Sequence, residues 1–171
     1  INKNNVPYVY KIPVCMVIDN KKIKHSSNYP GYQYRFFNKK SGANFVKPVH
    51  EKIIYDTSHG ISKVLRSPWF VFSTKDEVTH YIQRTKKYIK IEAQRSISTS
   101  FSTYLRSYVG GMLITSIKVV IKSFLIYVRY GFKDSMPIQT EMGRAIYPLL
   151  VLYEAAVLRV KSLMQKTIFK S

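Results

Sequence analysis

The chain has 171 residues, of which 28 are Lys or Arg and nine are Asp or Glu, for a net charge of +19. So large an excess destabilises a compact state unless a polyanion neutralises it, which argues against a free protein without a charged partner and points to nucleic acid. A lone Cys15 excludes a disulfide framework, and His25, His50, His59 and His80 lack metal-ligand spacing, so neither metal nor cofactor is expected.

The charge is dispersed: residues 1–75 hold thirteen Lys/Arg against Asp19, Glu51 and Asp56, and residues 76–171 hold fifteen against six acids. Neither half is a detachable basic arm. Apolar residues at 46% suffice for a core, and the length suits one ordinary domain with an appendage. The chain opens at Ile1 without an initiator Met, as expected of a processed mature protein or of one that continues upstream.

Residues 7–18, PYVYKIPVCMVI, are rich in β-branched and aromatic types, with Pro7 and Pro13 confining them to an edge or interrupted strand. Cys15 sits in this run as a small buried hydrophobe. Asp19-Asn20-Lys21-Lys22 reads as a turn. From His25 to His50 the chain shows no sustained period and reads as an extended, partner-ordered segment. There Tyr29, Tyr32, Tyr34, Phe36, Phe37 and Phe45 interleave with Arg35, Lys39, Lys40 and Lys47, which suits stacking on unpaired bases while the cations follow the backbone. The same rings equally suit packing on a neighbouring domain.

Residues 67–72, SPWFVF, form an apolar run of strand length in which Trp69 is a core or interface anchor. Ser73 or Thr74 then caps a helix over Lys75–Lys87, with Asp76 and Glu77 in its first turn. Tyr88-Ile89-Lys90-Ile91-Glu92 alternates like a strand. Past the capping residues Ser98-Thr99-Ser100, the apolar positions Leu105, Val109, Met112, Leu113, Ile117, Val120, Phe124 and Val128 define a long amphipathic helix ending at Gly131. The window Tyr108–Val128 is long enough to span a membrane, but Lys118 and Lys122 within it oppose insertion at about 2.5–3.5 kcal/mol each. They share a face instead, turned to phosphate or to solvent. Met136–Met142 reads as a short strand, and a last helix follows, with Pro148 in its first turn and an apolar face of Ile146, Leu149, Tyr153, Val160 and Leu163.

The stretch Pro137-Ile138-Gln139-Thr140-Glu141-Met142-Gly143-Arg144-Ala145-Ile146, followed by a helix with Glu154-Ala155-Ala156, resembles the second strand and helix of Alba-domain proteins. Upstream, Tyr88–Glu92 and Tyr104-Leu105-Arg106-Ser107-Tyr108-Val109 are similar to that family's first strand and helix. The resemblance covers residues 87–171 and implies a small basic fold that binds RNA or DNA. Where the family places a glycine and paired lysines after its first strand, this chain has Glu92-Ala93-Gln94-Arg95-Ser96, so Arg95 alone takes that role.

No catalytic constellation is present in the sequence: Gly110-Gly111 lies within a helical pattern, Cys15 and the serines lack a base partner, and Asp76 and Glu77 are capping charges. The expected architecture is α+β, a basic N-terminal segment over 1–74 and a nucleic-acid-binding domain over 75–171 with one long and one medium helix on a short sheet. The expected function is that of a non-enzymatic, RNA-binding structural component of a large ribonucleoprotein, specifically a mitochondrial-matrix ribosomal protein contacting rRNA and neighbouring ribosomal proteins. Its expected RNA contacts are Arg35, Lys39, Lys40, Lys47, Lys86, Lys87, Lys90, Arg95, Lys118, Lys122, Arg129 and Arg144. Two alternatives stand beside it: a structural subunit of an organellar membrane complex, with the helix from Leu105 to Val128 on or in the bilayer, and a free nucleic-acid-binding regulator.

Overall fold

A computed structural model places the chain in the α+β class. The structure describes residues 9–37, 43–46, 53–55 and 62–168, with 166–168 described by their backbone alone. Lys39, Lys40 and Lys47 lie outside the described residues. The chain divides into two units, one of Ile1–Lys24 with Asn28–Ser73, the other of His25–Ser27 with Thr74–Ser171.

The first unit is a sheet built round β1 (Val9–Ile18), which is therefore a central strand rather than an edge. β2 (Lys21–Lys22) follows through Asp19 and Asn20, whose φ of 46° and 65° are the left-handed pair that a two-residue hairpin turn requires. β3 (Gly31–Phe37) runs antiparallel to β1, from Val14 opposite Gly31 to Val9 opposite Phe37, with a bulge at Tyr10/Lys11. That segment carries no clear period in the sequence, yet its aromatic and glycine-led run makes a regular strand once β1 supplies the ladder. β6 (Ser62–Val64) and β7 (Trp69–Ser73) pair with the other edge of β1 in parallel. Pro13, with no N–H to give, falls where that edge changes partner from β6 to β7. β4 (Asn44–Phe45) and β5 (Ile53–Ile54) form a small antiparallel pair.

The second unit is helical. Thr74 caps α1 (Lys75–Thr79) in a reciprocal capping box with Glu77. α2 (Tyr81–Arg95) continues straight through Tyr88–Glu92, so that segment is not a strand: Ile82, Ile89 and Ala93 recur at helical spacing, and the Lys, Glu, Gln and Ala between them favour helix. Ser100 caps α3 (Phe101–Thr103), which leads through a π-helical stretch, Tyr104–Gly110, into α4 (Gly111–Tyr130), giving one helix over Phe101–Tyr130. Gly131, at φ 63°, ends it.

α5 (Ile138–Ile168) begins inside the segment expected as a second strand. Met136 and Pro137 precede the helix; the Met136 N–H bonds to His25 carbonyl at 2.9 Å beside an isolated bridge between His25 and Ser135, and the carbonyl of Pro137 accepts from the N–H groups of Thr140 and Glu141 to start the helix. Both segments that carry the Alba-like strands are thus helical. Pro148 stands well inside α5 rather than in its first turn. Tyr147 and Val151 of α5 pack on Ile89 of α2, and Ala155 packs on Ala93 and Tyr104.

Candidate docking surface: a helical hairpin with its apolar side outward

α4 and α5 run antiparallel, and polar side chains line their contact. Ser116 Oγ donates to Ala145 carbonyl at 2.5 Å, Ser123 Oγ to Glu141 Oε2 at 3.0 Å, and Tyr127 OH to Met136 carbonyl at 2.6 Å. The spacings of seven and four put these three donors on one line along α4. Glu141 is 3% exposed and accepts from four groups: Ser123, the N–H and hydroxyl of Ser27, and Arg144 at 3.2 Å. Thr140 Oγ1 donates to Val78 carbonyl at 2.8 Å and ties α5 to α1. Burial pushes the Tyr127 phenol up to about 12, the Glu141 charge adding to it, and burial, with the charge of Glu92, also raises Tyr147. Both phenols are neutral donors at physiological pH.

With the polar groups inside, the apolar ones face out. Ile114, Ile117, Val120, Ile121, Phe124, Leu125 and Val128 are all exposed, Phe124 by 66% and Val128 by 69%. The long amphipathic helix is present, but its apolar stripe is not the buried face; Ser116 and Ser123 are. α5 repeats the inversion: Ile146, Leu149, Tyr153, Val160 and Leu163 are exposed, and the buried line is Tyr147, Val151 and Ala155. Seen from one end, antiparallel helices turn in opposite senses, so the residues next round from the contact line fall on the same side. Leu113, Val120 and Phe124 of α4 therefore join Met142, Leu149 and Tyr153 of α5 in one apolar face. Towards the other end of α5 there is a groove of about 420 Å³ walled by Phe101, Tyr104, Arg159, Val160 and Leu163. An eighteen-residue window of the helix Phe101–Tyr130 reaches a mean hydropathy of 1.8 with 11% of the window buried.

α2 covers the opposite side of α5. Tyr147, Val151 and Ala155, which hold it, lie nearly half a turn round from Leu149 and Tyr153. The outer surface of α2 carries Arg84, Lys86, Lys87 and Lys90, all exposed, while its single acid, Glu92, accepts from Tyr147 OH at 3.0 Å.

The cations expected to meet RNA are scattered. Arg35, on β3, sits over the Trp69 ring at 5.0 Å in the first unit. Lys86, Lys87 and Lys90 stand on α2, a helix rather than the edge of a strand, with half-buried Arg95 at its last turn. Lys118, Lys122 and Arg129 are exposed together on one flank of α4. Arg144 is turned inward to Glu141 and is not a free phosphate contact. Arg159 binds the carbonyls of Ser96 and Thr99 past the end of α2 and covers the Tyr104 ring at 4.5 Å. The residues that organise this surface, Ser116, Ser123 and Glu141, are not among those the sequence singles out; two serines a heptad apart in a mostly apolar helix are the available signal. Comparison with protein-family models, with curated proteins and with solved structures gives no match.

Proposed function

We propose that the chain is a structural subunit that docks flat on a membrane through the apolar side of the α4/α5 hairpin. The observation that carries this reading is the inverted polarity of the hairpin: serines and a carboxylate inside, isoleucine, phenylalanine, leucine and valine outside. In a soluble helix pair the arrangement is reversed. A contiguous apolar face of this extent marks an interaction surface, and each half-exposed side chain removed from water contributes roughly 1 kcal/mol.

Lying on the membrane fits better than crossing it. α4 and α5 are long enough to span, at roughly 1.5 Å per residue. A crossing orientation, however, would carry Lys86, Lys87 and Lys90 of α2, which packs along the middle of α5, into hydrocarbon at about 2.5–3.5 kcal/mol each. With the hairpin in the plane, the apolar face enters the acyl boundary, α2 stays in water, and Lys118 and Lys122 meet the headgroup layer.

A second reading, an RNA-binding structural component of a ribonucleoprotein, is supported by the net charge of +19 and by the lysines of α2, which no exposed carboxylate on that helix offsets. Flotation of the purified protein with phospholipid vesicles, together with its sedimentation in cell extract before and after ribonuclease treatment, separates the two. The protein is expected to float with vesicles alone, and Ile117→Ser/Phe124→Ser/Val128→Ser to remain at the bottom of the gradient. A wild-type protein that never floats, and that sediments from untreated extract with a ribonuclease-sensitive particle, would replace the first reading by the second.

A further inference from the structure

We propose that the docked hairpin selects anionic lipid, with Lys118, Lys122 and Arg129 as the row that meets the headgroup phosphates; the inference rests on the membrane-docked reading above. The three residues follow at spacings of four and seven, so they share one flank of α4, between the apolar arc and the inner serine line. All three are exposed. Lys118 borders the apolar arc beside Ile114 and Leu125, and Arg129 and Lys122 stand further round, so the long stems of Lys and Arg carry the charge down to the headgroups while their methylenes lie along those apolar neighbours. The Arg129 guanidinium lies 5.3 Å from the centre of the Tyr130 ring, which itself stacks on His25 at 3.8 Å and so fixes the end of the row.

No acid answers these charges from their own helix, since α4 contains neither Asp nor Glu. The nearest acid on the facing helix, Glu141, is buried and held by Ser27, Ser123 and Arg144. Thr115 and Gly111 stand on the same flank, and half-buried Val119 and Ile126 lie between the row and the serines. The apolar neighbours decide between lipid and other polyanions. Ile114, Ile121 and Leu125 stand exposed directly beside the row. A nucleic-acid backbone on the lysines would leave these three in water or against phosphate, whereas a phospholipid supplies the anion and the hydrocarbon in the same register.

The test is vesicle co-sedimentation of the full chain with phosphatidylcholine alone and with phosphatidylcholine containing phosphatidylglycerol. At about 1 kcal/mol per cation near an anionic surface, three cations amount to a preference of roughly a hundredfold. K118Q/K122Q/R129Q is expected to lose that preference and to keep the weaker binding to neutral vesicles. K86Q/K87Q/K90Q on α2, about a helix diameter farther from the surface and so beyond a Debye length, is expected to retain most of it. Millimolar inorganic phosphate is expected to leave binding unchanged, since the site is a row at a surface rather than a pocket. Equal loss from the two triple variants would overturn the assignment in favour of net charge. Strong wild-type binding without a lipid preference would overturn the anionic inference and leave membrane docking intact. Failure of the wild type to bind either vesicle would overturn both.

Discussion

Glu141 holds the hairpin in its inverted form. Its carboxylate collects the Ser27 loop, Ser123 of α4 and Arg144 of its own helix, so three separate pieces of chain depend on one buried anion. Glu141→Ala leaves Arg144 half-buried without its partner and two hydroxyls without an acceptor, and is expected to lower unfolding free energy by about 3 kcal/mol in detergent micelles, followed by circular dichroism. Glu141→Gln, which keeps the shape and part of the bonding, is expected to cost less; equal stability of the alanine variant and wild type would show that the network is not structural. Residues whose partners are close in sequence are legible from the sequence alone. Thr74 with Glu77, Ser100 as a cap and Gly131 as a stop each act within a few positions. Glu141 is not legible in that way, because Ser27 lies 114 residues away and Ser123 lies 18 away.

At the level of the element, hydrophobic period reveals which residues share a helix face but not which face is buried. The spacing marks the apolar stripes of α4 and α5 correctly, while the rule that serves soluble helices turns those stripes to the core, opposite to where they lie. The short runs Tyr88–Glu92, which alternates, and Met136–Met142 mislead differently: five to seven residues fit a strand and a helix alike, and the packing of α2 on α5 settles the matter. That packing is close at Gly143, where an added Cβ would come within 2.9 Å of Tyr81 Cδ1 and 3.3 Å of its Cβ. Alanine gains about 1 kcal/mol over glycine in helix propensity. The clash with a ring anchored at its own base outweighs this, and Gly143→Ala is expected to destabilise by about 1–2 kcal/mol net, read as a lower melting temperature. A raised melting temperature would show that α2 and α5 are not in contact there.

For the whole molecule, composition raises the expectation of a polyanionic partner without naming it. A net charge of +19 fits RNA and anionic lipid equally well. The exposed Ile117, Phe124 and Val128 are the ground for proposing lipid, because hydrocarbon would remove them from water and phosphate would not. The α+β class is legible in the sequence through the β-branched and aromatic first half and the long periodic segment of the second. The side on which the hairpin is apolar is not, since it depends on hydrogen bonds between residues of two different helices. The most direct measurement is site-directed spin labelling of the vesicle-bound protein in a Cys15→Ser background, with one label at a time at Ile117, Phe124, Met142, Thr115 and Gln83. Labels at the first three are expected to be reached by oxygen and shielded from a water-soluble nickel chelate, and those at Thr115 and Gln83 to show the reverse. Equal immersion of Thr115 and Phe124, on opposite sides of α4, would mean that the helix crosses the bilayer, and water access at all five would mean that the apolar face meets something other than lipid.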